Sequence, residues 1–109
     1  MWQKAHSFVL AIYHYTASFP KVEMYSLSTQ FRRAAISIAA NIAEGYKKKS
    51  KLDKARFFNI SQGSLEECQY YLILSKDLGY DENNSLFLLL DEVSRKFEGY
   101  LQKLLSSDI

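Results

Sequence analysis

The chain has 109 residues, of which 48% are hydrophobic, with 4 glycines, 1 proline, 1 cysteine and a net charge of +2. This length suits one domain with one core, and the apolar content excludes an intrinsically disordered protein. The scarcity of glycine and proline favours long helices over a strand-and-turn fold, and the small net charge does not by itself indicate a nucleic-acid partner.

The first predicted helix runs from about Trp2 to Ser18, and Pro20 ends it. Apolar residues recur there at spacings of three and four, which indicates one buried seam. The members of this seam are Trp2, Ala5, Val9, Ile12, Thr16 and Phe19.

The second predicted helix starts near Ser26 or Ser28, either of which is a suitable N-cap, and Gly45 is its predicted C-terminal cap. Its apolar residues occupy two faces. The first face comprises Leu27, Phe31, Ala34, Ile38 and Ile42, and the second Ala35, Ile36, Ala39, Ala40 and Ala43. A helix that is apolar on two faces lies centrally in a bundle or meets another subunit.

The third predicted helix begins near Ser50, an N-cap candidate with Asp53 three residues later, and ends at Leu78 before Gly79. Its main seam comprises Phe58, Ser61, Leu65, Cys68, Leu72 and Ser75. Gly63 lies in the middle of this helix, where glycine costs roughly 1 kcal/mol relative to alanine. Close approach of another helix is the expected compensation.

The fourth predicted helix runs from about Asn84 to Leu105. Its apolar residues keep a heptad spacing: Leu86, Leu90, Val93, Phe97, Tyr100 and Leu104. Four helices with short links predict an all-α fold, an up-down-up-down antiparallel four-helix bundle that forms a single domain over residues 1–109.

Charge is distributed unevenly along the chain. Residues 47–56 hold six bases against one acid, a net charge of +5, whereas residues 57–109 hold four bases against nine acids, a net charge of −5. The six bases of the basic turn are Lys47, Lys48, Lys49, Lys51, Lys54 and Arg56. Cations suit the end of one helix but not the start of the next, so helix energetics alone do not explain all six. A solvated charge run and a phosphate-binding edge are the two interpretations.

Polar residues form a stripe on each of the two central helices. The stripe on the second helix comprises Gln30, Arg33, Ser37, Asn41 and Glu44, and that on the third comprises Arg56, Asn59, Gly63 and Glu66. If the helices pair antiparallel, Glu44 meets Arg56, and Arg32 or Arg33 meets Glu66 or Glu67. These cross-helix ion pairs would set the register; the alternative is that an arginine stays unpaired and exposed to meet a phosphate.

No pattern of catalytic or metal-binding residues is present. His6 and His14 are about 12 Å apart along a helix, too far to share a metal ion. Cys68 lies on an apolar seam and is predicted to be a core thiol. Neither a glycine-rich phosphate loop nor a nucleophile elbow occurs. The sequence therefore predicts a protein that is not an enzyme and has no cofactor or metal.

The sequence also bears on location. One cysteine excludes an intrachain disulfide, which fits a reducing compartment. There is no signal-peptide pattern and no apolar stretch of about 18 residues. A cytoplasmic protein without a membrane span is expected.

Four segments resemble a bacterial four-helix-bundle family, the 23S rRNA-intervening-sequence proteins: WQKAH, QFRRAAISIAANIAEGY, SKLDKARFFNISQGSLEE and SKDLGY. The resemblance covers nearly the whole chain. The family motif falls here on Arg32, Arg33, Asn41, Glu44, Gly45, Arg56, Gly63 and Ser64. Lys54 stands where relatives carry an aromatic residue, which is expected to loosen the packing near the turn.

The resemblance implies a biological setting. Some members of the family are encoded inside intervening sequences of the large ribosomal RNA gene. A related group, the accessory proteins of diversity-generating retroelements, forms a homopentameric ring that binds nucleic acid and a reverse transcriptase. A homopentamer is therefore expected. The apolar pattern of the second helix adds that Ile36, Ala39, Ala40 and Ala43, together with exposed tyrosine and phenylalanine residues, are expected at subunit contacts.

Two functions remain open at this point. The first is RNA or DNA binding through the basic turn, helped by Arg32 and Arg33 if these two side chains are exposed. The alternative is a protein-interaction scaffold, for example for a reverse transcriptase, that makes no direct contact with nucleic acid.

Overall fold

The computed structural model describes residues 1–81 and 84–106. The described residues form α1 (Trp2–Thr16), α2 (Leu27–Lys47), α3 (Lys51–Asp77) and α4 (Asn84–Leu105), with a short 3-10 helix at Lys21–Glu23. Helix α1 packs against α2 and α4, α2 also packs against α3, and α3 packs against α4. Short connections join the helices, so the predicted all-α four-helix bundle is confirmed.

The two central helices run antiparallel. Gly45, near the end of α2, faces Phe58, near the start of α3. One turn or two further along, the Ser61 hydroxyl donates to the Ile38 carbonyl at 3.0 Å, and the Ser64 hydroxyl donates to the Ser37 hydroxyl oxygen at 2.8 Å. The α2 end, the α3 start, the α1 start and the α4 end consequently share one end of a molecule 49 Å long.

Two of the predicted helix boundaries are confirmed with their mechanism. The Ser50 side chain accepts a hydrogen bond from the Asp53 backbone N–H at 3.0 Å and caps α3. Gly79 follows the end of α3 with a φ of +82°, a left-handed conformation that glycine adopts without steric cost.

The predicted start of α2 near Ser26 is confirmed, but neither of the caps predicted for this helix forms. Ser26 is the N-cap residue of α2, but its hydroxyl donates to the Glu23 carboxylate at 2.6 Å instead of capping the helix. The same Glu23 oxygen accepts the Leu27 backbone N–H at 3.4 Å, so an acid upstream of the serine takes over the role. Gly45 does not end α2, which continues to Lys47 with Lys48 as its extended C-cap residue.

The core contains an aromatic side chain from every helix of the bundle. Each helix contributes one phenylalanine without exposed surface: Phe8, Phe31, Phe58 and Phe97. The predicted seams of α2 and α3 are fully buried, as are the first four heptad residues of α4. In α1 the buried face differs from the predicted seam. Trp2, a predicted member, is 38% exposed, whereas Phe8 and Tyr15, which were not predicted members, are buried.

The second apolar face of α2 is divided between core and surface. Ala35 and Ala39 are buried in the core. Ile36 is 42% exposed, and Ala40 is exposed beside it. The prediction that Ile36, Ala39, Ala40 and Ala43 lie at subunit contacts is thus wrong for Ala39, which the core of one chain already buries. None of the helices in residues 1–81 and 84–106 carries an apolar stretch long enough to cross a membrane.

Candidate nucleic-acid interface

The basic turn is a tight connection between α2 and α3. Helix α2 ends at Lys47 and α3 begins at Lys51, so three of the six bases lie at or beside the link and the others within the first turns of α3. The N-terminus of α3 carries the positive end of a helix dipole, which adds to the lysine charge. The turn is therefore the most concentrated region of positive charge in the sequence.

Two of the six bases, Lys54 and Lys48, make contacts that stabilise the turn itself. The Lys54 ammonium donates to the carbonyls of Gly45 at 3.3 Å and Tyr46 at 3.0 Å at the end of α2, where carbonyls lack partners further along the helix. The Gly45 carbonyl also accepts the Lys48 backbone N–H at 3.2 Å. Lys48 lies 3.8 Å from the Glu44 carboxylate and 4.9 Å from the centre of the Phe57 ring. The expectation that Lys54 loosens the turn is wrong, since this side chain ties α2 to α3.

The remaining charge is presented to solvent. Lys47 and Lys49 are exposed, and neither has an ion pair or side-chain hydrogen bond to any part of the chain that the structure describes. Arg56 pairs with Asp53 at 3.7 Å, but its side chain is 75% exposed, so this pair leaves the guanidinium open to a competing anion. Lys51 is half-buried. Lys47, Lys49 and Arg56 are thus the bases of the turn with the most accessible charge.

Replacing Lys54 with methionine is expected to lower the free energy of unfolding by about 1 kcal/mol, because two carbonyls at the end of α2 lose a charged donor. Methionine keeps most of the apolar stem. Urea unfolding followed by circular dichroism measures the change. The matched control is Lys47→Met in the same turn, which removes an exposed lysine and should cost less than about 0.5 kcal/mol. Equal losses in the two variants would contradict the role assigned to Lys54.

Arg32 and Arg33 lie far from the basic turn. They occupy the first half of α2, roughly 20 Å along the helix from Lys47. The Arg32 guanidinium donates to the Thr16 hydroxyl oxygen at 2.8 Å and to the Tyr13 carbonyl at 3.3 Å, and it lies 4.6 Å from the centre of the Tyr13 ring. Arg32 therefore holds α1 against α2, while Arg33 is exposed. The structure does not bring the two arginines into one site with the lysines.

The predicted cross-helix ion pairs are wrong. Glu44 pairs with Lys48 in its own helix and Arg56 with Asp53 in its own helix. Between α2 and α3 the polar stripe forms a hydroxyl and amide network instead. The Asn41 amide donates to the Ser37 carbonyl at 2.9 Å and to its hydroxyl at 3.1 Å, and that hydroxyl also accepts from Ser64. Short, neutral side chains thus set the register, because they fit between closely packed helices where ion pairs would require desolvation.

The two motif glycines have opposite surroundings. A Cβ on Gly45 would fall on the Phe58 ring, with two further ring carbons at 2.8 and 2.9 Å. Gly45 is therefore required for close packing of α2 against α3. A Cβ on Gly63 would meet no atom of the described residues within 4 Å. The predicted close approach of another helix at Gly63 is wrong within one chain.

Sequence reasoning missed two lysines at the same end of the bundle. Lys96 and Lys103, on the last turns of α4, border a cleft with Tyr46, the residue before Lys47. These lysines were overlooked because residues 57–109 carry a net negative charge. Their spacing with Tyr100 is the signal that was available, because positions four and three residues apart share one helical face.

The other reactive side chains have structural surroundings. Burial, and to a lesser extent the nearby Glu67 carboxylate, raises the pKa of the Cys68 thiol well above its usual range, so the thiolate nucleophile is suppressed. His6 stacks on Trp2 with ring centroids 5.1 Å apart. Within residues 1–81 and 84–106, no three side chains of histidine, cysteine, aspartate or glutamate are grouped as metal ligands would be.

Comparison with known proteins gives a family and a fold. Residues 1–99 match the family described as 23S rRNA-intervening sequence protein. The crystal structure of a protein of unknown function from the S23 ribosomal protein family of Bacteroides thetaiotaomicron is similar, with a TM-score of 0.74 and 22% sequence identity. The similarity covers 97% of this chain and 98% of that protein. No curated protein matches the sequence.

Proposed function

The chain belongs to the 23S rRNA-intervening sequence protein family, and from this premise we propose that it is a non-enzymatic, oligomeric protein of the cytoplasm that binds RNA or DNA through its basic turn. The observation that carries the proposal is the accessible charge of Lys47 and Lys49, which no acid in the described residues neutralises. Lysine acts as a point charge for phosphate and carries little sequence readout. Binding that depends on the phosphate backbone, with weak sequence preference, follows.

The number of exposed lysines also sets how strongly the affinity for nucleic acid should depend on salt concentration. If Lys47, Lys49, Lys96 and Lys103 each neutralise one phosphate, affinity for a single strand should fall roughly fiftyfold between about 50 and 200 mM salt. Fluorescence anisotropy with a structured RNA, a duplex DNA and a single strand measures this dependence. Absence of binding to all three at the lower salt concentration would overturn the proposal.

Oligomerisation is the second part of the proposal, and a homopentamer is the expected form. Large apolar side chains on the outer faces of α2 and α3 support it: Ile36 is 42% exposed, Ile60 50%, Tyr70 58% and Ile73 43%. Association would cover these side chains and place several basic turns on one assembly, where avidity strengthens a weak contact. Light scattering at micromolar concentration tests this part. A mass of 12.6 kDa, that of one chain, would contradict it.

A protein-interaction scaffold is the alternative function. One observation favours it: Val22, Met24 and Tyr25, at the end of the bundle opposite the basic turn, are 81%, 52% and 90% exposed. Exposed apolar groups in a loop suit a protein partner. A partner such as a reverse transcriptase should then be retained when Lys47 and Lys49 are replaced, whereas nucleic-acid binding should be lost.

A further inference from the structure

An aromatic cluster stands behind the basic turn. The fully buried Phe58 ring packs edge-on against Tyr46 and Tyr100, with centroids 5.9 and 5.2 Å apart. Tyr46 and Tyr100 also meet edge-on at 5.4 Å. On its core side, the Phe58 ring packs edge-on against Phe97, with ring centroids 5.9 Å apart. Edge-to-face packing of this kind fixes ring orientation, so the two tyrosines are held rigidly where they reach the surface.

The tyrosines border an open cleft between the end of α2 and the last turns of α4. The cleft has a volume of about 340 Å³ and is lined by Met1, Tyr46, Lys96, Gly99, Tyr100 and Lys103. Tyr46 is 40% exposed there. The cleft is open beside Gly99, where a Cβ would meet no described atom within 4 Å. The size lies within the range of small-ligand sites.

Positive charge flanks the aromatic surface. Lys96, Tyr100 and Lys103 follow one another at spacings of four and three on one face of α4, so the lysines stand on either side of the tyrosine, roughly 10 Å apart along the helix axis. Burial, and to a lesser extent the neighbouring Tyr100, raises the pKa of Tyr46. Its hydroxyl therefore stays neutral at physiological pH and does not repel an anion.

Lysines beside tyrosine rings favour a ligand that has both a phosphate and an unpaired base. Lysines alone would accept any phosphate, including that of a duplex. The ring faces of Tyr46, which is exposed, and Tyr100, which is half-buried, give no charge to a phosphate contact. They can stack on an unpaired base, and each base stacked on an aromatic side chain contributes about 1–3 kcal/mol. The bases of a duplex are already stacked on one another and cannot enter the cleft.

We propose that the cleft between Tyr46 and Tyr100 binds an unpaired base of a single-stranded nucleic acid, with the adjoining phosphates on Lys96 and Lys103. This inference rests on the proposed function and deepens it. The basic turn supplies general attraction to phosphate, while the cleft distinguishes single strands from duplexes. Preference for a particular base is weak, because every base has a face that stacks on an aromatic ring.

Replacing Tyr46 with leucine tests the cleft, because leucine keeps an apolar side chain but removes the stacking ring. Fluorescence anisotropy at low salt should show single-strand affinity reduced roughly tenfold, with duplex affinity unchanged. The conservative variant Tyr46→Phe retains the ring and should bind single strands as the unaltered protein does. Equal unfolding midpoints for the two variants would show that the fold is preserved.

The possible results separate the two proposals. If the unaltered protein binds single strands and duplexes equally well, and Tyr46→Leu weakens neither or both alike, the cleft is not a base-binding site although the basic turn binds phosphate. If the unaltered protein binds no nucleic acid, both proposals fall. Loss of single-strand affinity in both Tyr46→Leu and Tyr46→Phe would also overturn the inference, because stacking does not require the hydroxyl.

A second pair of variants tests the lysines of the cleft. Lys96→Gln with Lys103→Gln should reduce the slope of log affinity against log salt by about 1.4 for single strands. The single variant Lys21→Glu changes the net charge equally but lies in the α1–α2 connection at the other end of the bundle. It should leave the slope unchanged, and an equal change in both proteins would contradict a local contact.

Discussion

Replacing Lys47 and Lys49 with glutamine is expected to weaken binding to a single-stranded RNA roughly tenfold or more at about 50 mM salt. These two lysines are exposed and unneutralised within the described chain, so their ammonium groups are available to phosphate. Each lost phosphate contact also releases one counterion fewer, and the slope of log affinity against log salt should fall by about 1.4. Anisotropy titrations at several salt concentrations measure both quantities.

The double replacement of Lys47 and Lys49 is a more specific test than a variant that also replaces Lys48. Lys48 contacts Glu44 and the Phe57 ring, so its loss would alter the turn as well as the charge. The matched control is Lys21→Glu, which changes the net charge by the same two units far from the turn. If the control weakens binding as much as the double variant does, the interaction depends on overall charge and not on the basic turn.

Replacing Gly45 with alanine is expected to lower the free energy of unfolding by about 1–3 kcal/mol, the usual cost of overpacking a core. The added methyl group would fall on the Phe58 ring, which is fully buried against Phe97, Tyr46 and Tyr100 and cannot move aside. The better helix propensity of alanine offsets only part of this cost. Urea unfolding followed by circular dichroism gives the difference.

Gly63→Ala is the natural control, because it makes the same chemical change in the interior of a helix. Here the methyl group enters open space, so the chain should gain roughly 0.5–1 kcal/mol of stability from reduced backbone entropy in the unfolded state. Opposite signs for the two variants are predicted. Destabilisation by Gly63→Ala would mean that another surface, such as a second subunit, packs against this glycine.

The sequence was sufficient for the fold because its local signals agree with one another. Ser50 and Gly79 bound α3 as their chemistry predicts, and spacings of three and four identified the buried seams of α2 and α3. Apart from the Ser26 cap, which the nearby Glu23 replaces, the errors concern contacts between helices. Gly45 reads as a cap in sequence, yet its role depends on Phe58, which lies 13 residues later and reaches it only in the packed bundle.

The candidate site was only partly predictable for the same reason. All six bases of the turn look alike in sequence, but packing gives Lys54 two backbone carbonyls and leaves Lys47 and Lys49 in solvent. An arginine is a suitable phosphate ligand, but in the folded chain the Arg32 guanidinium donates hydrogen bonds to Thr16 and Tyr13 of α1. Contacts with distant segments of the chain determine which charged side chains remain accessible. The spacing of residues along one helix cannot predict these contacts.

The measurement that tests the central claim most directly is a lysine acetylation footprint, read by mass spectrometry with and without a single-stranded RNA at about 50 mM salt. If the basic turn binds the phosphates, the acetylation of Lys47 and Lys49 should slow when the RNA is added, while Lys21 at the opposite end should react at an unchanged rate. Protection of Lys21 as strong as that of Lys47 and Lys49, or no protection of any lysine, would contradict the account.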